Sequence, residues 1–171
     1  MFFKKLLQEI KDVVIPLYKI LIPFVFIIKL LEITGIVELI AKGFAPLMEL
    51  IGLPSELGII WVTAIVVNIY AALILFVNIL PSLDVSIAQI TILTVAMLLC
   101  HNLLVESAIS RSAGVSFLFT SFYRLVSAFF VCCILNLIYS KFNYLHEPFT
   151  TSFTLEMPQP GFWFWLKNQI L

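Results

Sequence analysis

An apolar run, Gln89-Ile-Thr-Ile-Leu-Thr-Val-Ala-Met-Leu-Leu-Cys100, ends in His101-Asn102-Leu-Leu-Val-Glu106-Ser-Ala-Ile-Ser-Arg111-Ser-Ala-Gly114. An imidazole, a carboxamide and a carboxylate at the end of a segment that could otherwise sit in hydrocarbon each cost free energy there unless something compensates them. At membrane depth such groups bind polar solutes or relay protons. Asn102 and Glu106 stand four apart and share a face on a helix, with His101 about 100° round from Asn102, so other helices must close around them to make one cavity. Arg124, in the next apolar run, is a candidate counter-ion for Glu106, with Glu56 in competition. The plainer alternatives are an interhelical hydrogen bond for His101 and an ordinary helix-end acid for Glu106. Asn68, Tyr70 and Gln89 add neutral donors and acceptors in neighbouring runs, which can hold a polar solute without stranding a charge. For Asn68 and Gln89, helix-to-helix bonding is the alternative. Asn78 and Asn136, near run ends, read as structural.

These side chains need a scaffold, and composition sets its class. The chain is 62% hydrophobic and 12% charged over 171 residues, with mean hydropathy +1.12, far from the balance of a soluble domain. That makes it an integral membrane protein. A formal net charge of zero, without any block of like charges, excludes a phosphate-binding surface for nucleic acid. Cys100, Cys132 and Cys133 lie in apolar runs without zinc-type spacing and read as small interior hydrophobes, so no metal and no cofactor is expected. Catalysis is not expected either: the chain has no nucleophile elbow, phosphate loop or His-Glu-x-x-His helix.

Along the chain, Phe2 to Asp12 mixes Lys4, Lys5, Glu9 and Lys11 with Phe and Leu at helical spacing, which predicts an amphipathic N-terminal helix over residues 1–12. Lys19 and Lys29 interrupt the following run and no small-x-small site follows, so a retained segment is expected rather than a cleaved signal. Val13 to Leu31 is a first span, bent by Pro16 and Pro23. From Glu32 to Glu56 apolar residues recur at three- and four-residue steps around Glu38, Lys42 and Glu49, which predicts an interfacial or re-entrant helix. It is closed by Gly52-Leu-Pro54, with Ser55 as the next N-cap. Leu57 to Leu80, with only Thr63, Asn68, Tyr70 and Asn78 as polar interruptions, reads as the second span with Trp61 as an interfacial anchor, Gln89 to Val105 as the third and Ser116 to Tyr139 as the fourth. The expected fold is therefore all-α and polytopic, with a transmembrane domain over 13–139. The tail, 140–171, with Trp163 and Trp165 among prolines, reads as lying in the interface. Four crossings group Lys4, Lys5, Lys11, Lys141 and Lys167 on one side, which places both termini in the cytoplasm.

Three pieces, in order, carry a resemblance: Ala45-Pro46-Leu-Met48-Glu-Leu-Ile-Gly52-Leu-Pro54-Ser-Glu56, then Val67-Asn68-Ile-Tyr70-Ala71-Ala72, then the Gln89 to Gly114 stretch. Together they resemble the membrane nucleoside recognition, or Gate, family, which includes the spore maturation proteins A and B and gate segments of ferrous iron and concentrative nucleoside transporters. Ser55 stands where that pattern has glycine, and Arg111-Ser112 where basic pairs are common. The resemblance implies a helical transport-like module in a bacterial cytoplasmic (inner) membrane, used as a homodimer or with a second Gate protein. On that reading it moves or gates a small polar or lipid-linked solute lined by Asn68, Tyr70, Gln89, His101, Asn102 and Glu106. Gly52, Pro54 and Gly114 would serve as hinges. The competing expectation is a non-transporting assembly subunit in envelope or spore maturation, with the polar cluster holding helices together.

Overall fold

The structure, a computed structural model, describes residues 2–149. It comprises α1 (Phe2–Ile33), α2 (Ile36–Leu50), α3 (Gly58–Val66), α4 (Ile69–Ile79), α5 (Ile87–Leu99), α6 (Leu103–Ser112) and α7 (Phe117–Phe142), with single 3-10 turns before α3 and after α4. No strand forms among the described residues; an isolated antiparallel bridge joins Ser86 to Pro148. The expected all-α class is met, and three stretches are long and apolar enough to cross a bilayer: Ile10–Ile33, Ile87–Ser112 and Phe117–Phe142.

α3 lies at the centre. Its sequence, Gly-Ile-Ile-Trp-Val-Thr-Ala-Ile-Val, is apolar all round, and such a helix must be enclosed on every side. All its residues but Ile59 are buried. Trp61 is fully buried, packs edge-on against Phe44 at 5.8 Å and donates its indole N–H to Ala96 O at 3.2 Å. It is a core residue, not the interfacial anchor the sequence suggested. Replacing it with Phe removes that hydrogen bond and leaves a void, at an expected cost of about 1–3 kcal/mol. Thermal unfolding in detergent measures this, and an unchanged midpoint would refute it.

The outer helices carry the opposite pattern. α1 exposes Ile15, Ile22, Phe26 and Leu30, and α7 exposes Leu118, Phe122, Phe130 and Leu137, which are suitable faces for hydrocarbon. Inward, α7 presents Ser121, Ala128, Cys132 and Asn136. Small residues along one face let helices approach closely, and Cys132 Sγ lies 3.6 Å from Ile92 O of α5.

The structure departs from expectation in several places. The predicted span Leu57–Leu80 is not one helix: Val67 and Asn68 leave helical geometry and divide it into α3 and α4. Asn68 is extended, and its side-chain oxygen accepts from Ala71 N at 2.8 Å, so the carboxamide starts a new helix instead of continuing the old one. The predicted span Gln89–Val105 is likewise broken at Cys100, His101 and Asn102. Asn102 is left-handed (φ 49), a conformation Asn tolerates, and its N–H goes to Ala64 O at 2.8 Å. At the N-terminus one helix of 32 residues, with Pro16 and Pro23 inside it, runs through the expected boundary between residues 12 and 13. Ser55 caps nothing: Pro54 takes the cap position of a 3-10 turn, and Ser55 Oγ bonds Glu56.

Beyond α7 the chain turns back onto α5. Leu145 O and Glu147 O accept from Ala88 N and Ile87 N at 2.9 and 3.1 Å, satisfying first-turn donors of α5, and Phe149 N donates to Val85 O at 2.8 Å. Residues 150–171 of the expected interfacial tail, with Trp163 and Trp165, lie outside the described residues.

Candidate functional site

The two helix breaks lie side by side, because the Asn102 N–H to Ala64 O bond ties the start of α6 to the last turns of α3. In hydrocarbon an interrupted backbone must be satisfied by protein or by water, so such breaks occur where they are enclosed or line a cavity. Asn68 and Asn102 both face a cavity of about 210 Å³ between the breaks and α1. Asn68 also borders a second cavity of about 450 Å³, together with Tyr70, whose ring is 75% exposed.

On the other side of the α5–α6 break stands a charged brace. Arg124 of α7 donates from Nη1 to Glu106 Oε2 and from Nε to Leu99 O at 3.3 Å. His101 Nδ1 lies 3.0 Å from Leu98 O, and because a carbonyl only accepts, that nitrogen carries the hydrogen. Its Nε2 faces Glu106 Oε1 at 3.5 Å. Arg124 thus holds both a carbonyl at the end of α5 and the carboxylate in the first turn of α6, spanning the gap, with the His101 ring beside it. Arg124 falls about 10 Å into α7 at the helical rise, which places the brace below one end of that helix. Glu56, the competing acid, lies instead by a separate cavity with Glu38 and Lys42.

Six side chains were expected to share one site, and the structure distributes them. Asn68, Tyr70 and Asn102 line the paired cavities, and His101 and Glu106 form the brace alongside. Gln89 sits at the far end of α5. Its Oε1 accepts from Ser86 N at 3.0 Å, completing a capping box, and its Nε2 donates to Gly52 O at 3.0 Å. Gly52 and Gly114 each close a helix in a Schellman motif: Leu53 N bonds Met48 O at 2.9 Å, and Val115 N bonds Ser110 O at 3.0 Å. Gly52 and Gln89 border a third cavity of about 650 Å³ at that far end, while Gly114 has open space around it. Pro54 begins the turn into α3.

Lys29 and Glu32 were not expected. They are an i,i+3 pair, Nζ to Oε2 at 3.0 Å, at the end of α1, and both border the two cavities at the breaks. Opposite charges three apart at the end of an apolar run were the available signal. The sequence reading had counted Lys29 only as an interruption.

No family model matches the chain, and no solved structure does. It is 30% identical over 121 residues, 71% of its length, to a protein of Bacillus subtilis (strain 168) described as the uncharacterized membrane protein YvoD. The chain spans 38% of that relative. Composition, helical architecture and this similarity agree: the chain is an all-α membrane protein.

Proposed function

We propose that this chain is a transporter-like membrane subunit that moves or gates a small polar solute at the paired breaks, working as a dimer with itself or with a second Gate-type protein. The observation that carries the reading is the juxtaposition of two interrupted helices, α3–α4 and α5–α6, with Asn68 and Asn102 facing one cavity. Discontinuous helices meeting inside a bundle expose backbone and carboxamide groups where a solute can replace water, which transporters exploit. His101, Glu106 and Arg124 border the second break and, in this proposal, hold it in shape while the cavity beside it opens. The resemblance of residues 45–114 to Gate proteins supports this reading, in which the chain sits in a bacterial cytoplasmic membrane; the lysines near both ends favour cytoplasmic termini.

The test uses full-length protein in proteoliposomes with Cys100, Cys132 and Cys133 replaced by Ala. Asn68→Cys and Asn102→Cys are expected to react with a membrane-impermeant maleimide, and Phe130→Cys, facing lipid, to stay unlabelled. Absence of labelling at both Asn positions would mean a dry break and would sink the proposal. The assembly-subunit reading draws on the polar groups that hold helices together, such as Ser121 Oγ on Ser107 Oγ at 2.8 Å. It predicts that Glu106→Gln and His101→Ala lose assembly, where the transport reading predicts assembled but inactive protein.

A further inference from the structure

The two cavities at the breaks meet along a partition formed by Lys29, Glu32, Val67 and Asn68, which border both. On one side the smaller cavity is completed by apolar α1 residues and by Asn102 and Val105. On the other, the larger cavity adds Glu38, Thr63 and Tyr70. An i,i+3 ion pair is commonly no more than a solvated surface contact. Here the Lys29 side chain is 17% exposed and that of Glu32 47%, and the pair stands against two interrupted helices.

Resting on the proposed function, we propose that Lys29, Glu32, Asn68 and Asn102 bind a small zwitterionic solute, one bearing both an ammonium and a carboxylate. Among the described residues, one charge of each sign, Lys29 and Glu32, borders the smaller cavity. A solute with a single net charge would match one of these two charges and oppose the other, whereas a zwitterion offers an opposite charge to each. Its carboxylate accepts from Lys29 Nζ and its ammonium donates to Glu32, while the carboxamides of Asn68 and Asn102 offer both donors and acceptors to what remains. The smaller cavity, about 210 Å³, has room for several waters, which suits a solute of amino-acid size. Glu38 gives the larger cavity a surplus negative charge, so a solute arriving from that side presents its ammonium first.

The experiment titrates the full chain in nanodiscs by calorimetry with L-alanine and L-glutamine, against L-lactate as anion and ethylamine as cation. Saturable binding of at least one amino acid is expected, at least tenfold tighter than either singly charged probe. Lys29→Gln is expected to weaken amino-acid binding at least tenfold while strengthening ethylamine binding, and Glu32→Gln to do the same with L-lactate in place of ethylamine. Misfolding cannot produce these reciprocal gains. Equal affinity for all probes, no amino-acid binding, or losses without the reciprocal gains would each overturn the zwitterion assignment. If that happens while Asn68→Cys still reacts with the maleimide, the assignment alone fails; an unreactive Asn68→Cys and Asn102→Cys remove the wet break itself.

Discussion

Gly52→Ala is expected to be among the most damaging single changes in the chain. Gly52 has φ 76, and an added Cβ would fall within 2.6 Å of Asn136 Cγ and onto its amide oxygen. A left-handed non-glycine costs about 1–2 kcal/mol, and turning the Asn136 carboxamide aside, toward the cavity it borders with Gly52, about 1 more. The combined loss should lower the melting temperature in detergent by roughly 10 °C. Two comparisons isolate the causes. Gly114→Ala, at φ 90 with no atom near the new methyl, should pay only the conformational part. Adding Asn136→Ala to Gly52→Ala should restore about half of the loss by removing the steric part. If Gly52→Ala and Gly114→Ala fall equally, the contact with α7 contributes nothing and the argument is wrong.

The second large effect belongs to the brace. Arg124→Gln removes the bonds to Leu99 O and Glu106 together, whereas Glu106→Gln keeps an acceptor in place. The side chains are 19% and 41% exposed, so the penalty for stranding one partner is expected at about 1–3 kcal/mol, below that of a fully buried pair. Arg124→Gln should therefore unfold at a lower temperature than Glu106→Gln. The double variant should recover part of the sum, with a coupling of about 0.5–3 kcal/mol in a double-mutant cycle. Strict additivity would show that the two side chains act independently and that the break is held by something else.

How much of this could be read beforehand depended on which physical signal each residue carried. Hydropathy placed α1, α7 and the α5–α6 stretch, because runs of that length have few soluble uses. A carboxylate partner for Arg124 was visible as a choice between Glu106 and Glu56, since a charge in an apolar run needs an opposite one, but only the packing of α6 on α7 selects Glu106. The breaks were not visible. Val67-Asn68 and Cys100-His101-Asn102 contain neither Gly nor Pro, and a window averaged for hydropathy passes over a single Asn. Yet Asn is the residue that caps a helix with its side chain and tolerates positive φ, and it stands at both breaks. Gln89 was misplaced for a related reason: a carboxamide in an apolar context suggests solute binding, but three residues after Ser86 it completes a cap. Trp61 followed the habit of aromatic residues at the bilayer edge, whereas tertiary packing enclosed it.

Close approach along the inner face of α7 makes α5, α6 and α7 a single strut. It is pinned at several heights: Ser121 to Ser107, Arg124 to Glu106, Cys132 to Ile92 O, and the returning chain at Leu145 and Glu147 onto the first turn of α5. Sliding any of the three past another would break these contacts together. Outside that strut, α1 lines the smaller cavity with Leu21, Val25 and Ile28 and joins α2 through Gly35 at φ 73, so in the proposed function the cavity would open on this side. The moving part would be α1, swinging on that joint.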